Sequence, residues 1–243
     1  MNKQFLYNRP QFPAQINWSH PSTKGLVGCW LFNENGGMQA WDSASSPNHL
    51  TLQGFTTNRR SSSGLLFAGA QYCSKVVADY RSADSQGYIE VWFRTTTTAS
   101  SQIFVSSSDN NTTTSFLQTR INATTGALSI STRNAAGTAN QVSGTTNAGD
   151  RELHQAVFSS NGTVWSIFRD SQPESLSVTA GSNTGDWFAD VTLRDNVNVG
   201  AFVASITSFY NTGEIGLVRI GSREMLQPEA RSLYLDPYAM FLK

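Results

Sequence analysis

Charge is scarce in this chain. Asp, Glu, Lys and Arg make up 14% of its residues, against roughly 25% in an average globular domain. The 17 cations cancel the 17 anions, and Arg59-Arg60 is the one adjacent basic pair. Nucleic-acid binding depends on clustered Lys and Arg to neutralise phosphates, so no nucleic-acid partner is expected. Long apolar runs are missing too, which leaves no membrane-spanning helix. Residues 1–13 hold Asn, Gln, Arg and two prolines where a secretory leader needs a greasy stretch. The corresponding expectation is a product made and released in the cytosol, or exported by a route the sequence does not show. Cysteine is rare: Cys29 and Cys73 stand alone in apolar surroundings and read as buried free thiols. Neither has a second Cys or His at metal spacing, and the three histidines are scattered. No metal or cofactor is expected.

What fills the chain instead is Ser, Thr, Asn, Gly and aromatic side chains, the last at 11% of 243 residues. That is enough to build a core, and disorder is excluded. From Gly25 onward, short runs of β-branched and aromatic residues alternate with Gly, Asn, Asp and Ser clusters. Strands are expected at 26–32, 50–53, 65–67, 72–77, 88–94, 102–106, 115–122, 127–133, 141–144, 154–159, 164–169, 174–178, 197–201 and 215–220. Asn161-Gly162 between two apolar runs is a hairpin signal, so 154–159 should pair antiparallel with 164–169. One helix is expected near the end, with Pro228 in its first turn and Pro237 stopping it. The fold class is therefore all-β, a two-sheet antiparallel sandwich of jelly-roll type with one short C-terminal helix.

Residues 1–24 differ from the rest. Phe5, Tyr7, Phe12 and Trp18 are interleaved with Pro10, Pro13 and Pro21, which disfavours both helix and central strand. We read an extended arm, 1–24, ahead of a domain spanning 25–243. The arm either packs on its own domain or docks on a neighbouring subunit. Its four aromatics are the candidate subunit contacts.

Several segments also resemble a known family. Gly25-Leu26-Val27-Gly28-Cys29-Trp30-Leu31-Phe32-Asn33-Glu34 is similar to a first core strand, followed by Asp42-Ser43 and Asn48-His49. Gly64-Leu65-Leu66-Phe67-Ala68-Gly69, Ile89-Glu90-Val91-Trp92-Phe93, Leu153-His154-Gln155-Ala156-Val157 and Trp165-Ser166-Ile167-Phe168 follow in order. Together they resemble the concanavalin-A-like, laminin-G-like jelly rolls, in the version carried by tailed bacteriophages. The resemblance implies a virion protein decorating the capsid or another outer surface. Its partners would be the major capsid protein and further copies of itself, as a homo-oligomer. Calcium-binding members carry carboxylates where this chain has Ala68-Gly69-Ala70-Gln71, so no calcium is implied.

The fold also hosts glucan hydrolases, whose paired carboxylates stand two residues apart on one strand face. Here Glu90 is followed on its face by Trp92 and Arg94, so no catalytic residues are assigned. Glu90 is expected to pair with Arg94. The alternative to a virion role is a glycan-binding module. Sugar recognition needs an aromatic platform with amide and carboxylate partners on loops, and Asp186, Trp187, Asp190 and Tyr210 are the candidate glycan contacts.

Overall fold

The structure, a computed structural model, describes residues 5, 8–55, 60–135 and 137–242. Two antiparallel sheets face each other. The seven-stranded sheet runs Leu26–Trp30, Thr212–Gly221, Gly87–Thr95, His154–Ser160, Trp165–Arg169 and Gln172–Pro173, with Leu65–Ala68 also pairing on Thr212–Gly221. The nine-stranded sheet runs Leu176–Ala180, Asn140–Asn147, Ala127–Arg133, Phe116–Ile121, Gln102–Ser108, Asn196–Val199, Tyr72–Val76, Leu50–Gln53 and Gln39–Ala40. The expected all-β sandwich is the observed one.

The period-two rule explains why the first sheet is buried on both sides. Along Gly87–Thr95, Ile89, Val91 and Phe93 enter the core between the sheets. Tyr88 and Trp92 point the other way, into a second apolar layer. That layer is closed by Phe5, Ile16, Met225, Leu233, Tyr238 and Phe241, so both ends of the chain cover the outer face of the sheet. Phe5 stacks on Trp92 at 4.6 Å and lies 5.5 Å from Tyr238. Ile16 bridges to Phe241. The N-terminal segment therefore packs on its own domain, which corrects Phe5 as a subunit contact. Trp18 remains exposed, Phe12 is half-buried, and Tyr7 lies outside the described residues.

The hairpin forms as expected: Ser160 opposes Trp165, and Asn161 Oδ1 accepts from the N–H groups of Thr163 and Val164. Gly162 supplies the positive φ of the turn, +86°. The helix spans Gln227–Leu235, with Glu229 reaching back to the Leu226 N–H and to Arg223. Serine-rich Gln102–Ser108 stays a strand because its hydroxyls find internal acceptors: Ser106 on Ala201 O and Ser107 on Asn196 O. The expected strand at 174–178 is shifted to Leu176–Ala180, after a separate short pair at Gln172–Pro173.

Glu90 does not pair with Arg94. Four residues of extended chain separate them by roughly 13 Å, whereas Arg219 stands directly opposite Glu90 on the neighbouring strand. Arg219 Nη1 meets Glu90 Oε2 at 2.6 Å with both side chains fully buried, and Arg94 turns to Glu214. Cys29 and Cys73 are free and buried, and burial pushes the Cys29 thiol up to about 12.

Candidate functional site

The four expected glycan contacts do not form one site. Trp187 is fully buried, its ring 5.5 Å from Phe188 and its indole against Gly87. Asp186 accepts from Thr132 Oγ1 and Asn140 Nδ2, and Asp190 accepts the Trp187 N–H at 2.8 Å. These contacts stitch a loop to the sandwich. Tyr210 is half-buried near Tyr72, just ahead of Thr212. Gly87 and Thr95 mark opposite ends of one strand, and Thr95 opposes Gly213. Eight residue steps put the Trp187 and Tyr210 regions roughly 26 Å apart.

An aromatic platform does exist, at the Gln39–Ala40 edge of the nine-stranded sheet. Trp41 is 44% exposed. Its ring lies 4.3 Å from His49 and 5.9 Å from Phe12. Local chemistry holds it there. Asp42, next in sequence, is buried and accepts the N–H groups of Cys29, Ala44 and Asn48. Burial pushes its carboxyl above the ordinary range, against the pull of those three donors. Its own N–H donates to His49 Nδ1 at 3.0 Å, which orients the imidazole beside Trp41. Trp30 Nε1 closes the same loop on Asn48 O. The Asp42-Ser43…Asn48-His49 turn of the sequence resemblance is thus what builds the platform.

Beside it lies a groove of about 470 Å³ lined by Arg9, Gln11, Phe32, Asn33, Glu34 and Arg60, among others. Phe32 turns the chain out of its strand in the left-handed region, φ 51°. For a bulky residue that costs of order 1–3 kcal/mol. Glu34 then joins platform to groove: Oε1 accepts the Trp41 N–H at 2.5 Å, and Oε2 pairs with Arg60. Arg60 Nη2 also donates to Gln39 O. Arg9 donates to Ser62 O and Leu31 O, while Asn33 Nδ2 donates to Pro10 O at 2.7 Å. Burial pushes the Arg9 guanidinium below its ordinary value, partly offset by Tyr238 and Glu34.

Two guanidiniums against one carboxylate leave the groove net cationic. Glu34 is the one carboxylate among its described lining residues and is committed to Arg60 and Trp41. Glycoside hydrolysis with two carboxyl groups finds no second partner here. The arrangement can stack a ring on Trp41 and donate hydrogen bonds to hydroxyl or acid oxygens. Sequence reasoning singled out Phe12 and Arg60 for other reasons and passed over Trp41. Its flag was the hydrophilic setting: a Trp between a Gly-Gly turn and an Asp-Ser pair has no alternating strand around it. Among the described residues no cluster of three metal-ligating side chains occurs.

No protein-family profile matches the sequence, and no curated protein matches it. Solved structures do. The CBM40 module of the Ruminococcus gnavus IT-sialidase superposes with a TM-score of 0.58 at 14% identity, over 70% of this chain and 95% of the module. A Trypanosoma rangeli sialidase in complex with sialic acid gives 0.62 at 16%, over 89% of this chain and 33% of that one. The binding domain of botulinum neurotoxin DC, in complex with SialylT, gives 0.61 at 9%, over 86% and 50%. At these identities the likeness establishes a common β-sandwich fold.

Proposed function

We propose that this chain is a non-catalytic carbohydrate-binding domain whose ligand stacks on Trp41. The observation that carries this is an exposed Trp, flanked by Phe12 and His49, whose backbone N–H is held by Glu34 of a groove also lined by Arg9, Asn33 and Arg60. A pyranose has one apolar C–H face and a rim of hydroxyls, which this pairing of aromatic plate and polar groove matches. The structural neighbours add support: the Ruminococcus module has been solved bound to α2,3- and α2,6-sialyllactose. Glycan-array screening of the full chain, followed by calorimetry on the hits, tests the reading. Binding by the wild type and its loss in Trp41→Ala is the expected result. Wild-type binding unchanged in Trp41→Ala overturns it, as does release of product from a bound glycan.

For its setting we propose a virion surface. The order of phage-type segments from Gly25 to Phe168 supports this. The major capsid protein or other copies of this chain would then be the neighbours. The unpaired edge Leu176–Ala180, with Val178 exposed and no Lys or Pro to block pairing, suits such side-by-side contacts. Mass spectrometry of purified particles decides: the chain at stoichiometric copy number is expected, and its absence from particles refutes the setting.

A further inference from the structure

The outer face of the nine-stranded sheet holds a second polar feature, five strands from Trp41. At about 4.8 Å per strand the two are roughly 24 Å apart. Along Phe116–Ile121, Leu117 and Ile121 enter the core between the sheets, which leaves Gln118 and Arg120 on the opposite face. Arg120 Nε donates to Asn122 Oδ1 at 3.0 Å, and Nη2 donates to Gln141 Oε1 at 2.7 Å. Asn122 Nδ2 is held in turn by Ser143 Oγ, itself 3.2 Å from Ser129 Oγ. Every partner is neutral, and Nη1 has none among the described residues.

A guanidinium oriented by two neutral acceptors keeps its full charge, and its free Nη1 can donate to one further acceptor. Among the described residues no carboxylate pairs with Arg120, and burial pushes its pKa down. On one side the sheet face is walled by the hairpin of Phe202–Val203 with Thr207–Ser208. Its Phe202 and Ala204 pack on Ile103, the strand partner of Arg120. The result is a walled, hydroxyl- and amide-rich floor with one oriented, uncompensated cation.

We propose that Arg120 marks a second ligand site, which takes the carboxylate of an acidic sugar. A carboxylate gains charge-assisted hydrogen bonds from Nη1 and Nη2 and supplies the missing counter-charge. The sugar body of this ligand rests on the carbohydrate reading; the demand for an acid group rests on Arg120 alone. Single-site affinities this far apart add by avidity when a glycan surface presents many residues.

The test uses the full ¹⁵N-labelled chain titrated with N-acetylneuraminic acid and with its methyl ester. The acid is expected to shift amide resonances of 118–122, 129–131 and 141–143, and to bind at least about tenfold more tightly there than the ester. Arg120→Gln should erase that preference, and Trp41→Ala should leave it intact. Equal response to acid and ester, or an unchanged preference in Arg120→Gln, overturns the proposal. So does silence of this face up to tens of millimolar acid. Groove resonances lost in Trp41→Ala report the other site separately, so either reading can fail without the other.

Discussion

The strand Gly87–Thr95 has two buried faces, and they are buried by different means. Toward the other sheet, Ile89, Val91 and Phe93, with Phe158 of the neighbouring strand, meet Phe104 and Val105 in an apolar layer. Toward the chain ends, Tyr88 and Trp92 flank a buried ion pair, Glu90–Arg219. Glu90 also accepts from Trp92 Nε1 and Gln155 Nε2, both at 2.9 Å, and Arg219 donates to Pro237 O. Gln155 Nε2 reaches Ala230 O in the helix. An apolar layer is tolerant of register among its closing pieces. A buried charge network with fixed donors is not, so it dictates where the C-terminal segment docks. Specificity in one layer and bulk apolar burial in the other is the division we infer.

Breaking the ion pair should separate the two layers most sharply. Removing one partner strands the other charge without water, at about 3–5 kcal/mol. Arg219→Met is therefore expected to lose that much in urea unfolding, whereas Glu90→Leu with Arg219→Met together should recover most of it. A double variant as unstable as the single one would mean that the network contributes net stability, not position alone. Phe5→Ala probes the closing pieces: a fully buried ring stacked on Trp92 should cost about 3 kcal/mol by the same measurement. Little or no loss would return the segment to the status of a detachable arm.

How much of this was readable beforehand differs between the layers. The inner one is written in plain alternation, so its long strands, the Asn161-Gly162 hairpin and the sandwich are legible in the sequence, whereas the two-residue strands Gln39–Ala40, Gln172–Pro173, Phe202–Val203 and Thr207–Ser208 are too short to show a period. The outer one is not. Glu90 and Arg219 are 129 residues apart in the chain, and only strand register makes them opposite. A local pairing with Arg94 looked cheaper because sequence shows neighbours, not partners. Phe5 was legible as an anchor but not as to what it anchors. The same limit misplaced Trp187: an aromatic among Asp residues looked like a loop platform, yet tertiary packing buries it. Trp41 shows the converse. Its exposure depends on Asp42 and His49 closing a loop, a matter of three-dimensional hydrogen bonds.

At the rim of the inter-sheet layer, where its ring lies 5.9 Å from Phe93, His154 tests how far the polar contacts at that edge respond to pH. Its Nδ1 lies 2.6 Å from Asp170 and its Nε2 2.8 Å from Asp150. Burial alone would lower its pKa, but the hydrogen bonds and charges of Asp170 and Asp150 outweigh it, and the net shift is upward. A raised folded pKa means the contribution is whole below the unfolded value of about 6.5 and is lost as pH rises through the folded one. Asp150, pushed down, loses its share as pH falls through its own folded pKa, at the acid end. Stability should therefore decline from pH 6 toward alkaline conditions, and His154→Asn should flatten that slope. An equal slope in the variant would assign the dependence elsewhere.

The smallest expected effect on folding belongs to Trp41, and that is its value. With nearly half its surface already in water, truncation to Ala gives up little buried apolar area. The Trp41 N–H that Glu34 accepts belongs to the backbone and survives the substitution. The loop is held by Asp42 and by Trp30 Nε1, neither of which is touched. Trp41→Ala should therefore unfold within about 1 kcal/mol of wild type while losing the stacking plate for a bound sugar. A protein that keeps its unfolding midpoint and loses glycan affinity separates surface work from both buried layers. If instead the midpoint drops by as much as in Phe5→Ala, the Phe12–Trp41–His49 cluster is a third piece of structural packing, and the groove beside it has no platform to offer.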